Sequence, residues 1–150
     1  MIVGTRAVHR LWTGTDWAGG PVYLGDMHCV IFSDISNNRL LRYDEVADRT
    51  TLFRTPSNQA NGNARDRRCR LISCEQRTPR VTRTEHNGRI TELTANYEGK
   101  KPNSPNGVVV DSDNIAWFTD RPTALGNREG WRDTPELPVT STGLILSAPS

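Results

Sequence analysis

The sequence has no apolar run long enough to be a signal-peptide core, and none approaches the length of a membrane span. A cytoplasmic location with no membrane partner is therefore the default expectation. It contains no Gly-x-Ser-x-Gly elbow, no phosphate-binding glycine loop and no His-Glu-x-x-His run. Serine-nucleophile, P-loop and zinc-protease chemistry therefore have no support in the sequence. Cysteine is scarce: Cys29, Cys69 and Cys74 form an odd set without Cys-x-x-Cys spacing, which suits reduced structural thiols rather than a disulfide framework or a zinc site. Net charge is small, since 19 basic residues oppose 17 acidic ones to leave +2, and charge alone gives no reason to expect nucleic acid as a partner. Hydrophobic residues are few, at 35% of 150, and the mean hydropathy is −0.62. That balance fits short strands joined by many solvated turns. No segment carries a helical stripe.

What is present is a repeat. Gly20-Pro-Val-Tyr-Leu-Gly-Asp26 leading to Cys29-Val-Ile-Phe-Ser-Asp34 aligns with two later segments. These are Gly62-Asn-Ala-Arg-Asp66 leading to Arg70-Leu-Ile-Ser-Cys-Glu75, and Gly107-Val-Val-Val-Asp-Ser-Asp113 leading to Ile115-Ala-Trp-Phe-Thr-Asp120. Gly20, Gly62 and Gly107 lie about 42 and 45 residues apart, inside the range of one four-stranded propeller blade. Each unit reads as a short strand, a polar turn and an apolar strand ending in an acid. Arg39–Tyr43 and Thr50–Phe53 continue the first unit; Arg80–Thr84 and Arg89–Leu93, joined through Asn87-Gly88 as a type I′ hairpin, continue the second. The expected fold is all-β, a partial β-propeller of about three blades over residues 6–55, 56–100 and 101–150. The last is incomplete, because 121–150 is rich in proline and glycine and only Leu144-Ile-Leu146 could form a strand.

Several segments together resemble the regucalcin/gluconolactonase family: Trp17-Ala-Gly-Gly-Pro-Val-Tyr-Leu-Gly-Asp26, Phe32-Ser-Asp-Ile-Ser-Asn-Asn-Arg-Leu-Leu-Arg-Tyr-Asp44, Ala60-Asn-Gly-Asn-Ala-Arg-Asp66, Asn103-Ser-Pro-Asn-Gly-Val-Val-Val110 and Trp117-Phe-Thr-Asp120. The likeness runs from about Arg10 to Asp120 and implies the first half of a six-bladed propeller. It also implies hydrolysis of lactones, often sugar lactones, with one divalent cation, calcium or zinc, on the propeller axis. Such a cation polarises the lactone carbonyl while a carboxylate takes a proton from water.

Carried over position by position, the family's metal-binding Glu falls on Gly19. Asn106 matches a ligand asparagine, but the Asp that follows it in the family is Gly107 here. The resemblance places Asn61, Asn63, Arg65 and Asn103 toward the substrate; for Asn61, Asn63, Arg65 and Asp66, a turn with a local ion pair is the competing reading. Family Thr and His positions are Ala64 and Gln76, changes expected at the pocket rim, and a turn glycine is Cys69. Arg65, Arg67, Arg68 and Arg70 read as a solvated blade edge, and His9, His28 and His86 as surface or turn residues. Trp12, Trp17 and Trp117 stand at strand ends beside apolar neighbours and are expected to pack in or between blades.

The resulting expectation is a gluconolactonase-like, metal-dependent enzyme by descent, encoded as a truncated, frameshifted or decaying N-terminal fragment, weakly active or inactive, with no catalytic residue assigned. The alternative is a non-enzymatic module whose open blade edges self-associate to complete a ring.

Overall fold

The computed structural model describes residues 8–94, 96 and 101–121, and the backbone of Leu144–Ser147. β1 (Ala18–Leu24), β2 (Cys29–Asp34), β3 (Arg39–Asp44) and β4 (Arg49–Arg54) form one antiparallel sheet in chain order. β5 (Ala60–Arg65), β6 (Leu71–Glu75), β7 (Arg80–Thr84) and β8 (Ile90–Thr94) form a second in the same order. β9 (Pro105–Val110), β10 (Ile115–Asp120) and β11 (Leu144–Ser147) form a third, with β10 in the middle. The expected strand near the end is thus β11, whereas the rest of the 121–150 tail beyond Arg121 lies outside the described residues. Helix among the described residues is limited to the one-turn 3-10 segment Gly25–Met27, and no helix there is long and apolar enough to cross a membrane.

The first strand of each sheet is the innermost, and β5 lies between β1 and β9. Three meanders whose first strands stand side by side are consecutive blades of a β-propeller. Alternation along the strands sends one set of side chains toward the preceding blade and the other toward the next. The cores therefore lie between sheets. Leu24, Cys29, Ile31 and Leu40 of the first sheet meet Ala60 and Leu71 of the second. Ala64, Ile72, Cys74 and Val81 of the second sheet meet Phe118 of the third, flanked by Val108 and Val110. Cys29 and Cys74 are both fully buried here, and burial pushes both thiols up.

The acid closing each second strand is a structural anchor. Asp34 accepts from Asn37 Nδ2, Arg39 Nε and the Asp16 amide. Glu75, 1% exposed, accepts from Arg54, Asn58, Arg80 and the Thr82 hydroxyl. Asp120 takes the backbone amides of Asn103 and Ser104 at 2.8 and 2.7 Å. A buried carboxylate is tolerated only when its oxygens are occupied in this way.

Two expectations need correction. Asn87-Gly88 does not form a type I′ turn: Gly88 N–H donates to Glu85 O, Glu85 N–H to Arg89 O, and in this loop only Gly88 has positive φ, 81°. The loop is one residue longer than a tight hairpin, so a type I turn with a single left-handed glycine matches the strand twist. Trp12, Trp17 and Trp117 are not core residues but 42%, 50% and 38% exposed. Trp117 points away from the second sheet, where no described sheet covers it. Cys69, by contrast, adopts the positive φ (58°) that its position requires, as His28 and Asn114 do in the matching turns.

Candidate functional site

Strand register identifies equivalent positions in the three blades. Ala18, Ala60 and Pro105 lie opposite the closing acids Asp34, Glu75 and Asp120. The next residue along each inner strand is therefore Gly19, Asn61 or Asn106, one position presented at the same end of the axis by three strands. After it comes a glycine in every blade: Gly20, Gly62 and Gly107. A Cβ on Gly20 would stand 2.0 Å from Asn61 O, and one on Gly62 would stand 2.3 Å from Asn106 O. These glycines let adjacent inner strands approach backbone to backbone.

Gly19 is glycine for no such reason. A Cβ there meets only Ile35 Cδ1 at 3.4 Å and Asn61 Oδ1 at 3.7 Å, and φ is not left-handed. A larger side chain at 19 would thus begin beside the Asn61 amide. Asn61 and Asn106 are half-buried, and neither amide forms a hydrogen bond among the described residues. Each can donate and accept, which suits the hydroxyls and carbonyl of a polyol-derived ligand.

The other expected site residues fall elsewhere. Asn63 is 8% exposed and joins two blades. Its Nδ2 donates to Gly20 O at 2.9 Å and Ser33 Oγ at 2.8 Å, and its Oδ1 accepts from Ser73 Oγ at 2.7 Å. Arg65 lies at the opposite end of β5 from Asn61, exposed, with Nη1 3.5 Å from Cys69 Sγ. There it borders a cleft of about 430 Å³ between the second and third sheets, lined also by Asp66, Arg67, Val110 and Asp111. Asp66 is a turn residue, capping the Arg68 and Arg70 amides and pairing with Arg70 Nε at 2.7 Å. Arg70 is consequently buried rather than part of a solvated edge, while Arg67 and Arg68 are exposed. Asn103 packs on Asp120, its amide 3.3 Å from Oδ2.

Ala64 and Gln76 do not border the axial opening as expected. Ala64 belongs to the core between the second and third sheets, and Gln76, 2% exposed, donates from Nε2 to Ser104 Oγ. The Ser33, Asn63, Ser73 chain carried no sequence signal beyond a polar residue between small ones in a strand.

The order of these elements agrees with known proteins. Residues 17–131 match the family described as SMP-30/Gluconolactonase/LRE-like region. The chain belongs to that family. A gluconolactonase structure from Xanthomonas campestris is 31% identical with a TM-score of 0.79, over 90% of this chain and 44% of that one. A structural-genomics target of the gluconolactonase family is 32% identical with a TM-score of 0.80, over 91% of this chain and 47% of the other. The chain thus spans just under half the length of these relatives. A streptogramin B lyase, 18% identical with a TM-score of 0.53, shares the fold. No curated protein matches.

The cation expected from the family is poorly served by these residues. Among the described residues no three His, Cys, Asp or Glu side chains converge. At the axial end stand two amide oxygens, from Asn61 and Asn106, and a glycine. Calcium takes six to eight oxygens, usually including carboxylates, and zinc prefers imidazole, thiolate or carboxylate. The residues present do not fit a tightly held divalent cation.

Proposed function

We propose that this chain carries a gluconolactonase-type lactone site in which ligand recognition persists at the axial end of the inner strands, while the cation-dependent hydrolytic step is weak or lost. The ligand is a small sugar lactone, met by the Asn61 and Asn106 amides. The observation that supports this is the register equivalence of Gly19, Asn61 and Asn106, with both amides unpartnered among the described residues and room for a Cβ at Gly19 at ordinary contact distance. Family membership supports this choice of substrate class. The missing carboxylates supply the reason for low activity.

The test is glucono-δ-lactone hydrolysis followed by pH-stat, with calcium or zinc added. The wild-type rate is expected close to the spontaneous one, whereas lactone binding appears as chemical-shift changes confined to Asn61, Asn106 and their neighbours. Gly19→Glu is expected to tighten calcium binding at least tenfold, about 1.4 kcal/mol, in a calorimetric titration. Metal-dependent turnover well above background by the wild type, or lactone shifts scattered away from the axis, would refute the proposal.

A further inference from the structure

We propose that two copies of this chain close one ring, the outer face of the third sheet in each packing on the outer face of the first sheet in the other. This is independent of the lactone reading. Its basis is that the third sheet repeats the apolar pair, the hydroxyl or thiol and the glycine with which the first two sheets meet their successors.

The pairs Val22↔Ile31, Ala64↔Ile72 and Val109↔Trp117 occupy matching places in the three sheets. Ile31 and Ile72 are 0% and 1% exposed because the next sheet covers them, while Val109 and Trp117 are 64% and 38% exposed. A hydroxyl or thiol follows on the same face. Ser33 Oγ donates to Asn61 O at 2.7 Å, and Cys74 Sγ lies 3.8 Å from Gly107 O, each reaching the next inner strand. The matching residue is Thr119, exposed, whose Oγ1 accepts from Gly107 N–H at 2.9 Å but whose own proton finds no acceptor among the described residues. Gly107 completes the set as the third close-approach glycine, and its Cβ direction meets nothing nearer than Thr119 Oγ1 at 3.4 Å.

The first sheet supplies the counterpart. Leu71 and Phe118, each 2% exposed, are the residues through which the second and third sheets receive the sheet before them. Val30 and Phe32 are their equivalents, and Tyr23 and Leu52, 47% and 56% exposed, extend that face. The three blades span just under half the length of the relatives, so two copies carry about one ring's worth of blades. A second copy related by a twofold along the axis repeats the internal interface twice and closes, so association stops at two. A net charge of +2 offers little repulsion.

Sedimentation velocity on the full chain at micromolar concentration is expected to give twice the 16.8 kDa chain mass. Val109→Glu and Leu52→Glu change exposed residues on opposite outer faces. Each is expected to keep the strand signal in circular dichroism and to weaken dimerisation about a hundredfold, by burying an unpaired charge. Thr119→Val, which keeps the shape, weakens the dimer about tenfold. A folded monomer, an open-ended series of oligomers, or variants that sediment like the wild type would overturn the proposal.

Discussion

Replacing Asn63 by alanine separates a structural role from a substrate contact. In the folded chain the amide fills its capacity with partners from three strands: Gly20 O on β1, Ser33 Oγ on β2 and Ser73 Oγ on β6. All of these lie in the joint between the first two sheets, where Ser33 and Ser73 are 0% exposed. Each bond contributes a net of roughly 1 kcal/mol, and alanine also leaves a buried carbonyl and two hydroxyls to find new partners. A loss of about 3 to 4 kcal/mol follows, a large part of the stability of a small domain. Asn63→Asp keeps the volume but turns a carboxylate toward Gly20 O, so the loss is at least as large. The assay is urea unfolding by tryptophan fluorescence, the midpoint and slope fitted together. A loss below about 1 kcal/mol for Asn63→Ala would refute the inter-blade role and return Asn63 to the substrate.

Gly62→Ala drives a Cβ to 2.3 Å from Asn106 O, so β5 and β9 must part; expression as insoluble protein, or a fall in the unfolding midpoint exceeding that of Asn63→Ala, is expected. Cys69→Gly relieves a left-handed residue and is expected to raise stability by about 0.5 to 1 kcal/mol in urea, offset in part by the freer unfolded chain. Acid should destabilise the fold in a defined window. Burial on its own would raise the Glu85 carboxyl, but the Thr91 hydroxyl and then the ion pairs with Arg83 and Arg70 bring it from 4.5 down to about 2. A depressed folded pKa adds stability above the unfolded value and loses it as pH falls, so the midpoint should drop between about pH 4.5 and 2, and less steeply in Glu85→Gln.

The strands were legible because period two, interrupted by aspartate and asparagine turns, is a local signal, and the units repeat with the turn chemistry. Orientation was harder to read. A propeller strand buries both faces, each against a different neighbour, so apolar character alone does not tell which residues a neighbour covers. Trp117 stands at a strand end beside apolar neighbours and so reads as core; its equivalents Ile31 and Ile72 are core, but its own 38% exposure reflects the absence of a covering sheet among the described residues. Arg65 and Asn61 sat close in sequence and were grouped in one site, yet four residues of extended strand separate them by roughly 13 Å, and they serve opposite ends of the blade. Asn63 misled for a related reason. An asparagine beside a glycine reads as a turn or a ligand contact, whereas here it replaces an apolar inward residue with a hydrogen-bonded one.

The inner strand explains why one glycine of the Gly19-Gly20 pair bears on function and the other on folding. Along β1 and β5 the first position after the acid's partner faces the axial opening and the second meets the next strand's backbone, while later positions of β5 alternate between the two neighbouring blades. Gly20, with φ of 53° and a Cβ position 2.0 Å from Asn61 O, admits no side chain without moving β5. Gly19, one residue earlier, faces Ile35 Cδ1 and Asn61 Oδ1 at ordinary contact distance. Substitution at 19 therefore changes what the axis can bind while leaving the blade joint intact. Gly19→Glu should unfold in urea with a midpoint near the wild type's while gaining affinity for calcium. A loss of stability comparable to that of Gly20→Ala would show that position 19 is glycine for packing, and would remove the argument that its bare backbone reflects a lost ligand.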